Sequence, residues 1–152
     1  MEVGISIDRA KILISESKLK LPSENIHLDN VNGRILAEGL TSKVNDPRFN
    51  NSAMDGWAVR EADCQHDGET ILEIVGAIQA GTEQTISINS GEACKITTGA
   101  PIPEGADAIV IVEDSRVEGN NVIISGPAKK SFIRIKGENL SKGNLALSEG
   151  TC

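Results

Sequence analysis

From Trp57 onward the chain never sustains a long apolar run: short stretches rich in Ile, Val and Leu are each broken by Gly, Asn or Asp. That punctuation leaves little room for long helices. It favours strands joined by tight turns, because β-branched side chains suit a pleated surface while Gly, Asn and Asp tolerate turn backbones. The runs predict strands at 57–60, 70–79, 84–88, 93–98, 107–112, 121–125, 132–135 and 144–147. Fifteen glycines fit the same picture of many turns. With one Trp, two Phe and no Tyr, the core has to be built from Ile, Val, Leu and Ala.

The first fifty residues read differently. Residues 5–19 form one amphipathic helical pattern, with Ile7, Ala10, Leu13, Ile14 and Ser17 on a shared face. Ser6 or Asp8 can cap it; Lys11, Glu16, Lys18 and Lys20 fall elsewhere, and Pro22 bends the chain away. Glu24 to Leu28 alternates polar and apolar residues and predicts a short strand, with His27 either a half-exposed strand residue or a ligand. Asn32-Gly33 signals a turn, and Arg34 to Ala37 suits a helical turn or a strand. Residues 39–50, containing Asp46-Pro47, read as an irregular connection and the best place for a crossing between lobes. The fold class is therefore α+β, β-rich: an N-terminal helix plus many short strands in two lobes.

Charge and motif content remove several function classes. A formal charge of -7 does not draw the chain to nucleic acid or to an anionic membrane. No apolar stretch approaches the roughly 18 residues that span a bilayer, and MEVGISIDRA lacks the pattern of a secretory signal. Cys64, Cys94 and Cys152 are odd in number and unpatterned, as expected of reduced thiols in a cytoplasmic protein. There is no HExxH, EF-hand loop, GxGxxG, Walker loop or zinc spacing, and neither His27 nor His66 has a nucleophile at a telling distance.

Three segments look unlike plain core or turn. In Pro47 to Arg60, small and polar residues precede an apolar strand, and Asp55 beside Gly56 is sterically open; its carboxylate either faces a ligand or metal or closes an Asx-turn. In Cys94 to Ala108, a strand ends at Thr97-Thr98-Gly99, where hydroxyls and open backbone can approach a phosphate, while Pro101 and Pro103 stiffen the loop; a plain rigid connection reads as well. In Arg134 to Asn139, two cations followed by Gly, Glu and Asn suit an anion, a hydrated metal or a charged turn.

Together these segments resemble the N-terminal region of the MoeA-type molybdopterin molybdenumtransferases, the family that includes the E domain of gephyrin. The resemblance rests on Val31-Asn32-Gly33-Arg34-Ile35-Leu36-Ala37 and on Asn51-Ser52-Ala53-Met54-Asp55-Gly56-Trp57-Ala58-Val59-Arg60. It also rests on Ile96-Thr97-Thr98-Gly99-Ala100-Pro101-Ile102-Pro103 with Gly105-Ala106-Asp107-Ala108, and on Ile133-Arg134 with Gly137-Glu138-Asn139. It implies insertion of molybdenum from molybdate into adenylylated molybdopterin with release of AMP, aided by Mg2+. It implies a first lobe of 1–45 and 134–152, an inserted β-rich lobe of 46–133, and a homodimer whose cleft is completed by further C-terminal domains that this sequence does not contain. Asp55 and Thr98 are then the expected catalytic residues; Ser52, Gly99 and Arg134 are expected on the substrate, and Asp55, Asn139 and Glu113 near a metal. The sequence departs from the family pattern at Asn139, where Asp is usual, and at Trp57, where Tyr is common. By itself the chain is expected to be inactive. The competing readings are a non-catalytic dimerisation or scaffold module and a phosphate-binding module.

Overall fold

A computed structural model describes residues 4–17, 21–64, 68–81 and 86–152. The chain divides into two compact units, one of residues 1–39 with 148–152 and one of residues 40–147.

The first unit contains helix α1 (Ile7–Glu16) and a 3-10 turn at Leu28–Asn30. Ser6 caps α1 by accepting from the Arg9 N–H at 3.2 Å, which satisfies one of the free donors of the first turn. The helix stops at Glu16, where Ser17 turns out of helical geometry; residues 18 and 20, expected on its polar side, lie outside the described residues. The strand expected at 24–28 does not form. The segment is extended but finds no partner strand, and His27 instead caps the 3-10 turn, its Nδ1 accepting from Asp29 N–H at 3.4 Å. The segment ending at Thr151 returns to Leu36 through two backbone bonds, Leu36 N–H to Thr151 O and Gly150 N–H to Leu36 O.

The second unit is built on a six-stranded mixed sheet. Its strands are β3 (Gly56–Val59), β4 (Thr70–Ile78), β5 (Glu92–Ile96), β6 (Ala108–Ile111), β7 (Ser115–Glu118) and β8 (Asn121–Ile124), in the order β6-β3-β5-β4-β8-β7. Only β4 and β5 run parallel. Two two-stranded ladders accompany it: β1 (Leu40–Thr41) with β10 (Leu145–Leu147), and β2 (Asn51–Ser52) with β9 (Ile133–Arg134). Seven of the expected strands appear within a residue or two; of 84–88, Ser87 makes an isolated bridge to Glu104 and residues 84 and 85 lie outside the described residues. Three strands carried no usable signal: β1 and β2 are two residues long, and Ser115-Arg116-Val117-Glu118 is a largely exposed edge with one apolar residue.

Both faces of the sheet are packed. Trp57 and Val59 join Leu72, Ala93, Val110, Val122 and Ile124 in one cluster, while Ala58, between them on β3, joins Ile78, Cys94, Ile96 and Ile109 in the other. Alternation along β3 thus feeds two cores, which is why all four of its residues are buried. Strand β4 serves both cores by a different device. Its register against β5 slips between Ile74 and Gly76, so Ile74 packs against the first cluster and Ile78 belongs to the second although they are four positions apart. An extra residue in one strand reverses the side on which everything beyond it falls. Gly56 permits the closest approach in the sheet: a Cβ there would stand 1.9 Å from the Val110 carbonyl oxygen. The β7 edge is dressed with charge, Arg116 pairing with Glu69 and with Glu118.

Candidate functional site

Three of the sequence motifs come together as one backbone-bonded assembly. Segment 50–53 lies between the 99–102 loop and the 132–134 strand. On one side Ser52 N–H donates to Ala100 O, Gly99 N–H to Ser52 O, and Ile102 N–H to Asn50 O; on the other Ala53 N–H donates to Phe132 O and β2 pairs with β9. Asn50 Oδ1 further accepts from Lys136 N–H at 2.8 Å, across 86 positions of sequence.

Asp55 leaves this assembly at the start of β3 and is exposed. Its Oδ1 accepts two bonds from one residue, Thr98 N–H at 2.6 Å and Thr98 Oγ1 at 3.0 Å. No described residue donates to Oδ2. The backbone bond from Thr98, then its hydroxyl, hold the carboxyl below its ordinary range, because both bonds favour the charged form. Asp55 is therefore an anion at any physiological pH, fixed at one oxygen and open at the other. Its carbonyl is held as well, accepting from Val112 N–H at 3.1 Å.

The other expected residues fall in different places. Ser52 is fully buried, and its hydroxyl bonds locally, donating to Met54 O at 2.6 Å and accepting from Met54 N–H at 3.2 Å. Gly99 adopts φ +83 and its N–H is taken by Ser52. The neighbouring donors are engaged too, Thr98 on Asp55, Ala100 on Thr97 O and Ile102 on Asn50 O. The loop is thus a rigid shelf for Asp55, with these backbone donors turned inward. Arg134 is held at Nε by Glu138 at 2.9 Å; Glu138, drawn down chiefly by the Ile135 N–H and then by Arg134, is ionised. Asn139 donates from Nδ2 to Asp46 Oδ2 at 2.9 Å and from its backbone to Asp46 O. Glu113 is exposed on the 3-10 turn Val112–Asp114, beside the Val112 N–H that binds Asp55. His27 is tied to Asp29, and His66 lies outside the described residues.

Sequence reasoning missed two features of this region. Asn51 is buried with Nδ2 on Phe49 O at 3.4 Å, while its Oδ1 meets no donor among the described residues. Trp57 Nε1 donates to Ser115 Oγ at 2.9 Å. The only sequence signal was the Trp itself; nothing in Asp114-Ser115-Arg116 points to its partner.

An Mg2+ ion prefers oxygen ligands and is often held by one or two carboxylates, with water and substrate phosphate completing the shell. The open Asp55 Oδ2 suits that role. Among the described residues no three His, Cys, Asp or Glu side chains converge, so any such site would draw most of its ligands from elsewhere. No helix among them is long and apolar enough to cross a membrane.

The fold is shared with a solved molybdopterin biosynthesis moeA protein from Pyrococcus horikoshii. The two share a TM-score of 0.76 and 29% identity over 83% of this chain and 34% of that one. The family model of the MoeA N-terminal region (domain I and II) matches residues 5–152, and the chain belongs to that family. Similar relatives include molybdopterin molybdenumtransferases of Synechococcus elongatus, 38% identical over 92% of this chain, and of Staphylococcus epidermidis, 35% identical over 96%. The chain spans 36% of the length of each.

Proposed function

We propose that this chain supplies one wall of the active site of a molybdenum insertase, which transfers molybdate into adenylylated molybdopterin and releases AMP. The observation that carries the reading is Asp55, whose Oδ1 is gripped by both donors of Thr98 while Oδ2 stays open. An anionic substrate cannot be drawn to a lone carboxylate, so the residue needs a cation between them. We assign Mg2+ to that place; when bound it would offset phosphate charge at the anhydride that is cleaved. Asp55 then acts as a ligand or as an acceptor that orients water. Its lowered proton affinity makes it a weak base and an unsuitable acid.

Thr98 serves by holding Asp55. Its hydroxyl proton is already directed at Oδ1, so it does not serve as a phosphate donor while that bond persists. Arg134, on the strand that pairs with β2 and bonded to Glu138 through Nε, is the group best suited here to an anionic substituent. Ser52 and Gly99 shape the shelf from beneath. The remaining groups would come from the rest of a longer enzyme and from a second subunit, and the reaction would take place in the cytoplasm.

The test is Asp55→Asn in a full-length transferase that carries this region. Folding should be unchanged, since the side chain is exposed, and insertion should fall by about a hundredfold or more. Undiminished insertion removes Asp55 from the reaction. The 152-residue chain alone should release no AMP from adenylylated molybdopterin, and turnover by it would overturn the requirement for the remaining domains.

A further inference from the structure

We propose that Trp57 and Ser115 are positioning residues for Asp55, acting through the 3-10 turn at Val112–Asp114. A closed circuit of short links supports this. Trp57 Nε1 donates to Ser115 Oγ at 2.9 Å, Ser115 Oγ donates to Val112 O at 2.8 Å, and Val112 N–H donates to Asp55 O at 3.1 Å. The backbone from Asp55 to Trp57 closes the ring.

Proton directions in the circuit are fixed. An indole N–H can only donate, so the hydroxyl receives it on a lone pair and its own proton is left for the Val112 carbonyl. Ser115 is thus the one group that joins indole to turn. Trp57 is 3% exposed and packed in the first core cluster, so it anchors the circuit to the buried core of the sheet. Asp55 is consequently held from two sides, its carboxylate by Thr98 and its backbone by the turn. The same turn carries Glu113, exposed one residue beyond Val112, so the circuit sets the bearing of both acidic residues at once.

That a carboxylate so held serves insertion chemistry rests on the function proposed above; the mechanical coupling does not. The experiment reads the coupling directly, by amide NMR and hydrogen exchange on the 152-residue chain. In Ser115→Ala, the Thr98 amide proton should move upfield and exchange about tenfold faster, together with Val112, as the carboxylate loses its fixed bearing. Ser115→Thr, which keeps the hydroxyl, should restore both. Trp57→Phe removes the indole donor, and some core volume with it; it should shift Thr98 in the same direction and provides the reading if Ser115→Ala does not fold. A Thr98 amide that keeps its shift and protection in a variant that merely melts at lower temperature would overturn the proposal. Loss of activity in Asp55→Asn alongside an unmoved Thr98 signal would overturn it alone, and leave the assigned reaction standing.

Discussion

Asp55 and Thr98 show how little of a residue's role its identity decides. Threonine beside glycine suggests a donor for phosphate, but the hydroxyl and the amide both turn to the same carboxylate oxygen. Thr98→Val should separate the two bonds, since it deletes the hydroxyl and keeps the amide. The Asp55 carboxyl, followed by carbon NMR, should titrate higher than in the parent but still below the ordinary aspartate value, and Thr98→Ser should titrate as the parent does. Asn139 makes a sharper case. Its amide donates to Asp46, so Asn139→Asp would set a second anion against the first. Like charges at that range repel, which favours the protonated form. We expect Asn139→Asp to melt at lower temperature near neutral pH, and to recover when the pH is lowered or Mg2+ is added. Equal melting at both pH values would mean that the pair rearranges freely. Asp107 supplies a pH dependence of its own. The Glu61 N–H, and then Lys130, depress its pKa in the folded state. A depressed carboxyl contributes stability above its unfolded pKa, and that contribution is lost as pH falls through the lower folded value. Urea midpoints should drop as acid passes through that window, and Asp107→Asn should flatten that part of the curve.

At the scale of elements, the legible strands were short apolar runs buried on both faces of the sheet. Ile109-Val110-Ile111 and Val122-Ile123-Ile124 announce themselves as buried β-branched runs. What could not be read was partnership. β2 is two residues long and exists because two distant segments flank it, and β7 is an exposed edge defined by the strand it borders. The expected strand at 24–28 failed for the complementary reason: alternation was present and a neighbour was not. The slip in β4 was equally hidden, because Ile74-Val75-Gly76 reads as uninterrupted strand until its register against β5 is known. Gly56 gives the element-scale prediction. Gly56→Ala drives a methyl into the Val110 carbonyl, so β3 and β6 must part. A destabilisation of about 3 kcal/mol or complete failure to fold is expected by denaturant titration, against about 1 kcal/mol for Gly119→Ala, where the cost is the left-handed backbone at φ +62 alone. Gly119 has nothing within 4 Å of the same methyl.

Over the whole molecule, the two units are unlike in how they hold themselves together. The second has two aliphatic clusters closed to solvent. Among the described residues of the first, none is buried, and Ile7, Ile14, Leu21, Leu28 and Ile35 stand more than two-thirds exposed. Apolar surface on that scale favours association. Sedimentation of the 152-residue chain should therefore show mass rising with concentration, and a strictly monomeric chain would argue that the first unit needs no partner. The site was legible as a set of motifs, because Asp55, Thr98 and Arg134 each stand in unusual local sequence; their arrangement was not, since it depends on pairings across most of the chain. Residues 50–53 meet their neighbours only after a segment from the middle of the β-rich unit and one near its end have closed on them, one contact spanning 86 positions. Loops of that length close late and slowly relative to hairpins. A chain emerging from the ribosome could therefore pin Asp55 through Thr98 and Val112 while the second flank of residues 50–53, supplied by residues 132–136, had yet to be made.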